Sequence, residues 1–292
     1  MNLYSINAGY FKLDGGAMFG VVPKSMWNKL NPADENNMCG WAMRCLLIEE
    51  GNQLILIDNG MGDKQDAKFF GHYYLHGNDT LDKSLAQYGF TKDDITDVVL
   101  THLHFDHCGG SISRVGDKLV PSFKNATYWS NERHWQWATH PNDREKASFL
   151  KENILPIRES GQLKMVEMPA TTGDSYEPDN IARSQAILPD LSFIFVNGHT
   201  DAMMLPVIKY KGKNIIYVAD LLPSLAHIPL PYVMAYDMFP LTTLNEKKRI
   251  LSWALKNNGV LFFEHDRLIE CCSLQLTEKG IRSDANFKIS EL

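Results

Sequence analysis

Long apolar runs are missing from this chain. No stretch of about 18 apolar residues occurs in its 292 positions, so no segment reads as a membrane-spanning helix. Basic blocks are missing as well. Acidic and basic residues are interspersed around a net charge of −6, which argues against a nucleic-acid partner. Cysteine is scarce: Cys39, Cys45, Cys108, Cys271 and Cys272 form an odd set without paired spacing. That excludes a disulfide scaffold and fits free thiols in a reducing compartment. The opening "MNLYSINAGYFKLDGG" has no basic stretch followed by an apolar one, so no secretion signal is expected and a cytoplasmic location is. Internal repeats and low-complexity tracts are absent, and no serine or cysteine stands in a recognisable nucleophile motif.

What is present is ample core material, 44% hydrophobic residues, enough for a single domain over residues 1–292. "LLIEEGNQLILIDNG" (46–60) predicts a hairpin turning at Gly51-Asn52. "DTLDKSLAQYGF" predicts a helix burying Leu81, Leu85 and Tyr88, and "DVVL" (97–100) a short buried strand. Residues 111–190 read as a partly helical insert, with a helix in "NERHWQWATH" and another in "KASFLKENILPI" stopped by Pro156. Strand signals resume at 191–199, and a hairpin over 203–220 turns at Lys211-Gly212-Lys213. Thr243 and Glu246 predict a capping box for a helix that Gly259 ends, before the strand "VLFF".

Five of the apolar runs stop at Asp58, His102, His199, Asp220 and His265. In layered α/β architectures functional groups gather at carboxyl ends of strands, so five such endings suggest one shared cleft. The densest is "VVLTHLHFDHCGG" (98–110), with three histidines and an aspartate inside six positions. In extended backbone, residues two apart face the same side. His102 and His104 are therefore expected to grip one ion. Asp106 and His107, beyond a turn, can aim at a second ion. Nitrogen and oxygen donors suit Zn²⁺ first, then Mn²⁺, Fe²⁺ or Co²⁺. Cys108, out of phase with these donors, reads as a packing residue.

"THLHFDHCGG" resembles the H-x-H-x-D-H signature of the metallo-β-lactamase superfamily. His199 in "NGHT", Asp220 in "YVAD" and His265 in "FEHD" match the rest of its metal set, and Asp58 in "LIDNG" its structural aspartate. The resemblance implies an α/β (α+β) chain folded as a four-layer αββα sandwich. It implies two Zn²⁺ per chain: one on His102, His104 and His199, the other on Asp106, His107 and His265, with Asp220 bridging. Two such cations hold a shared water as hydroxide near neutral pH, which would attack a lactone, carboxylic ester or phosphotriester. Asp106 and Asp220 then serve catalysis, Asp106 also as proton shuttle.

Branch features narrow the likeness. The long stretch from His107 to His199 and the N-terminal "FKLDGGAMFGVVPKSMW" look most like the branch holding methyl parathion hydrolase and related lactonases. There an N-terminal segment (here 1–40) walls the pocket or joins a dimer. Met18, Phe19 and Trp27, with His227 beyond Asp220, are the pocket candidates for a small, apolar substrate. Asp220 stands where zinc β-lactamases carry cysteine, and Pro223 where quorum-quenching lactonases often carry tyrosine. Alternatives are a mononuclear-iron redox relative such as a sulfur dioxygenase, or a glyoxalase II-like thioester hydrolase. His72 and His76 read as surface or packing residues, and His134 and His140 as packing within the insert.

Overall fold

The computed structural model describes residues 1–169 and 187–292; part of the expected 111–190 insert therefore lies outside the described residues. The chain divides into two compact units, one of Met1–Phe11 and Ala42–Val166, the other of Lys12–Trp41 and Glu167–Leu292.

The first unit is built on a six-stranded sheet. Its strands are β1 (Asn2–Asp14), β2 (Met38–Glu50), β3 (Gln53–Ile57), β4 (Asp97–Val99), β7 (Thr127–Ser130) and β8 (Leu163–Met165), in the order β1-β2-β3-β4-β7-β8. A small ribbon, β5 (Ile112–Val115) and β6 (Lys118–Pro121), stands apart from it. The β2–β3 hairpin closes with Glu50 opposite Gln53, around Gly51 at φ 58°, as "EEGNQ" predicts. β3, β4, β7 and β8 then run parallel. Parallel central strands are covered on both faces and so read as continuous apolar runs; Val98 and Leu56, paired in register, are both fully buried.

Short helices α1 (Gly15–Phe19) and α2 (Lys24–Trp27) follow β1 and belong to the second unit. In the first unit lie α3 (Ala67–Tyr73), α4 (Leu81–Gln87), the single turn α5 (Phe105–Cys108), α6 (Glu132–Thr139) and α7 (Lys151–Glu159). Thr80 caps α4 by accepting from the Lys83 amide. Leu81, Leu85, Trp135, Ile154 and Ile157 from these helices join one core with Leu56, Val98 and Leu100; each such side chain contributes roughly 1.5–3 kcal/mol when fully buried. Pro156 does not stop its helix. It lies inside α7, where it forgoes one backbone hydrogen bond, and the helix closes beyond it through Ser160 N–H to Pro156 O (3.0 Å). Residues 146–150, expected as helix, are not part of it.

The second unit holds the other six-stranded sheet, in the order β14-β13-β12-β11-β10-β9. It comprises β9 (Leu191–Val196), β10 (Met203–Tyr210), β11 (Lys213–Tyr217), β12 (Gly259–Phe262), β13 (Cys271–Thr277) and β14 (Gly280–Phe287). The β10–β11 turn has Lys211 and Gly212 both at positive φ, 47° and 75°, the two-residue geometry that suits a hairpin's twist. α8 (Pro240–Lys256) packs on β12 and β13, burying Ile250, Leu251, Trp253 and Ala254. It starts three residues earlier than Thr243, with Pro240 in the first turn, so the expected capping box does not form. Glu246 instead turns its carboxylate to the amides of Asn197 (2.7 Å) and Gly198 (3.0 Å).

Candidate functional site

In the first unit the chain leaves β3 at Asp58, whose φ of 55° is unusual for a side-chain-bearing residue. That bend sets its buried carboxylate beside the segment leaving β4. Oδ1 accepts from the Thr101 amide (2.8 Å), and Oδ2 from the Thr101 hydroxyl (2.7 Å) and from His107 Nδ1 (3.1 Å). Since the Thr101 proton is spent on Asp58, its oxygen accepts from His102 Nδ1 (3.1 Å). One carboxylate thus fixes His107 directly and His102 through a hydroxyl, leaving each Nε2 with its lone pair.

His104 is held the opposite way round. Its Nε2 donates to Glu145 Oε1 (2.9 Å), and its Nδ1 lies 3.0 Å from His102 Nε2. With both outer nitrogens acting as donors, two lone pairs meet at hydrogen-bond distance, an arrangement that a cation shared between them makes favourable. Asp106 Oδ2 lies 3.8 Å from His107 Nε2. His102, His104, Asp106 and His107 are all buried. The donor set therefore fits a divalent metal: borderline nitrogen and hard oxygen donors, each imidazole oriented by a partner of its own. The expected backbone needs correction. Residues 101–104 are not strand, and Asp106 and His107 sit on α5; His104 reaches its place as the extended cap of that turn, at φ −65°, ψ 152°.

In the second unit, β9 leads through Gly198 to His199, β11 to a 3₁₀ turn carrying Asp220, and β12 to His265. His199 Nδ1 donates to Asp237 (2.8 Å), so its Nε2 presents a lone pair, 3.2 Å from Asp220 Oδ2. Asp220 Oδ1 lies 3.0 Å from His265 Nε2. Asp220 thus sets a different imidazole against each of its oxygens. Gly198 admits no side chain: a Cβ there would lie 2.3 Å from the Thr243 amide nitrogen.

The pocket candidates come together in this same unit. Phe19 is stacked between Trp27 (5.2 Å between ring centroids) and His227 (4.7 Å). His227 Nε2 donates to the Met18 carbonyl (2.9 Å) and Nδ1 accepts from Ser224 (2.8 Å). Burial pushes the imidazole down to about 3, so it is neutral. With Met18, Phe19, Trp27 and His227 each at most 1% exposed, the cluster is a packed anchor for the loop after Asp220.

Cys108 is buried, its thiol pushed up to about 12 by burial. His72 and His140 are exposed. His134 does more than pack: its Nε2 accepts the Leu103 amide (2.9 Å), between the two metal-type histidines. Sequence reading missed Glu145 and Asp237, and gave Glu246 a capping role it does not have. Glu145 sits in "NDREKAS", which reads as a solvated charge run, and nothing in "YDMF" separates Asp237 from a loop carboxylate.

The family pattern described as Metallo-beta-lactamase superfamily matches residues 44–265. An N-acyl homoserine lactonase of Bacillus thuringiensis is 24% identical over 277 residues, covering 90% of this chain and 92% of that protein. A probable metallo-hydrolase of Mycobacterium tuberculosis is 31% identical over 109 residues, 32% of this chain and 35% of that one. Among solved structures, a probable metal-dependent hydrolase from Staphylococcus aureus superposes with a TM-score of 0.84 at 26% identity, covering 98% of this chain and 96% of its own. A dizinc quorum-quenching lactonase, solved with its product, reaches 0.77 at 19% identity over 98% and 94% of the two chains.

Proposed function

The chain belongs to the metallo-β-lactamase superfamily and is a hydrolase acting on ester bonds; we propose that it works with two divalent cations, zinc foremost, and that its substrate is a lactone. In this reading His102, His104 and His199 would hold one cation and Asp106, His107 and His265 the other, with Asp220 serving both. Lactonase relatives aligned along nine-tenths of the chain support the substrate class. The observation that carries the metal reading is the lone-pair arrangement, with His102 Nε2 and His104 Nδ1 3.0 Å apart while their outer nitrogens are tied down.

When bound, such cations supply Lewis acidity toward the ester carbonyl and activate water near neutral pH. The chain's own residues do the rest. Asp58 and Asp237 keep the imidazoles of His107 and His199 in the tautomer that offers Nε2. Asp106, the one carboxylate on the α5 turn, would carry a proton from the attacking water to the alkoxide released on ring opening. His227 takes no part in proton transfer, since both ring nitrogens are engaged and the ring is neutral.

Elemental analysis of the purified chain, together with turnover of simple lactones, acyl homoserine lactones, aryl esters, thioesters and phosphotriesters, tests this. Two zinc-type ions per chain and preferred lactone opening are expected. A single iron per chain, or preferred thioester or phosphotriester cleavage, would overturn it.

A further inference from the structure

The stretch running from α6 up to α7 does something that neither the metal donors nor the core requires. It grips three consecutive residues of the histidine cluster. His134 Nε2 accepts the Leu103 amide (2.9 Å), Glu145 Oε1 accepts from His104 Nε2 (2.9 Å), and the Ser148 carbonyl accepts the Phe105 amide (3.0 Å). Phe149 adds a ring 4.8 Å from His104. Glu145 is 1% exposed, and burying a carboxylate is costly unless it is fully hydrogen-bonded. Its second oxygen is indeed engaged, by Trp137 Nε1 (2.6 Å) and Asn142 Nδ2 (3.3 Å).

We propose that Glu145 is a positioning residue for the metal centre: a buried carboxylate, supplied by the segment between α6 and α7, that fixes His104 with Nδ1 toward the cation and raises its basicity. The inference rests on the dinuclear reading above. A carboxylate is the one side-chain group that accepts on both flanks here. A glutamine of the same shape has one carbonyl oxygen for two opposed donors, and sets its amide N–H₂ against either His104 or Trp137. Carboxylates behind a ligating histidine typically govern metal affinity by about 10- to 100-fold. Because Glu145 backs His104, while Thr101 backs His102 and Asp58 backs His107, the loss falls on one cation of the two.

The test compares the wild-type chain with Glu145→Gln and Trp137→Phe. Zinc affinities are measured by competition with a chromophoric chelator, alongside the visible spectrum of the cobalt-loaded forms and the melting temperature of the metal-free chains. The expected result is two cations in the wild type. In Glu145→Gln one affinity falls about 10- to 100-fold with a changed cobalt spectrum, while the other affinity and the metal-free melting temperature hold. Trp137→Phe, which spares the His104 contact, shifts the same affinity less. Unchanged affinities in Glu145→Gln overturn the positioning role, as does equal weakening of both cations together with a lowered metal-free melting temperature. A wild-type chain that takes up no second cation overturns the dinuclear reading instead.

Discussion

The four metal-type residues of the first unit fall within six consecutive positions, whereas those of the second are spread over 67 positions, from His199 to His265. The two groups are held in contrasting ways. Residues 102–107 lie in a loop and one helical turn, with little regular structure of their own, and are pinned from outside by Asp58, His134, Glu145 and Ser148. His199, Asp220 and His265 each follow a strand of one sheet, so the sheet sets their spacing, with Asp237 on His199, Glu246 on the Gly198 amide and the Pro223 carbonyl on the His265 amide (3.1 Å) trimming it. Compactness in sequence thus costs preorganisation from elsewhere, while dispersion in sequence is ordered by the fold itself.

The sharpest way to break this contrast is to remove one donor from each group. His104→Ala and Asp220→Ala are both expected to reduce lactone turnover to background while circular dichroism stays native. If either retained wild-type turnover, its group would not belong to the reacting centre.

Removing the clamps separates the groups further. Asp58→Asn loosens His107 directly and His102 through Thr101, so zinc affinity should fall by about 100-fold, the upper end for such residues. Asp237→Asn loosens one ring, and a loss nearer about 10-fold is expected. Chelator competition on the two variants reads the difference. Equal losses would show that the loop-borne group needs no more support than the strand-borne one.

How much was legible follows the same division. The cluster at 102–107 announces itself because donor types crowd at short spacing, and His199, Asp220 and His265 because each follows an apolar run. The hairpins were legible from Gly51 and Gly212, where a positive φ is required. The clamps were not. Glu145 reads like any surface glutamate until folding buries it. Thr243 and Glu246 show a capping pattern that tertiary demand overrides, because Glu246 accepts from two amides, at Asn197 and Gly198. Pro156 misled because a helix tolerates proline where one carbonyl of the preceding turn can do without its N–H donor. Local signals report elements and donors; partners distant in sequence are fixed only by packing.

The aromatic anchor extends the comparison from donors to their supports. Phe19→Ala empties the slot between Trp27 and His227, at a cost of about 3–5 kcal/mol, measurable by urea unfolding. This is smaller in consequence than losing a ligand, because metal donors are untouched. Survival of full stability would mean that the loop after Asp220 is fixed by its sheet alone.

The finest distinction concerns pH. His227 is held near 3 by burial, with the Lys247 charge pushing the same way and Asp220 opposing, against an ordinary value of 6.5. Between those values the unfolded chain binds a proton that the folded chain refuses. Stability contributed by this residue is therefore fully present above about pH 6.5 and lost as pH falls toward 3, by at most about 1.4 kcal/mol per pH unit. His227→Phe keeps the stack on Phe19 but strands the Ser224 hydroxyl and the Met18 carbonyl, so at pH 7 it is the less stable protein. It also removes the titration. Unfolding free energies measured from pH 7 down to pH 4 should then converge, the variant losing less than the wild type with each step. Parallel curves would show that His227 gains its proton without opening the anchor.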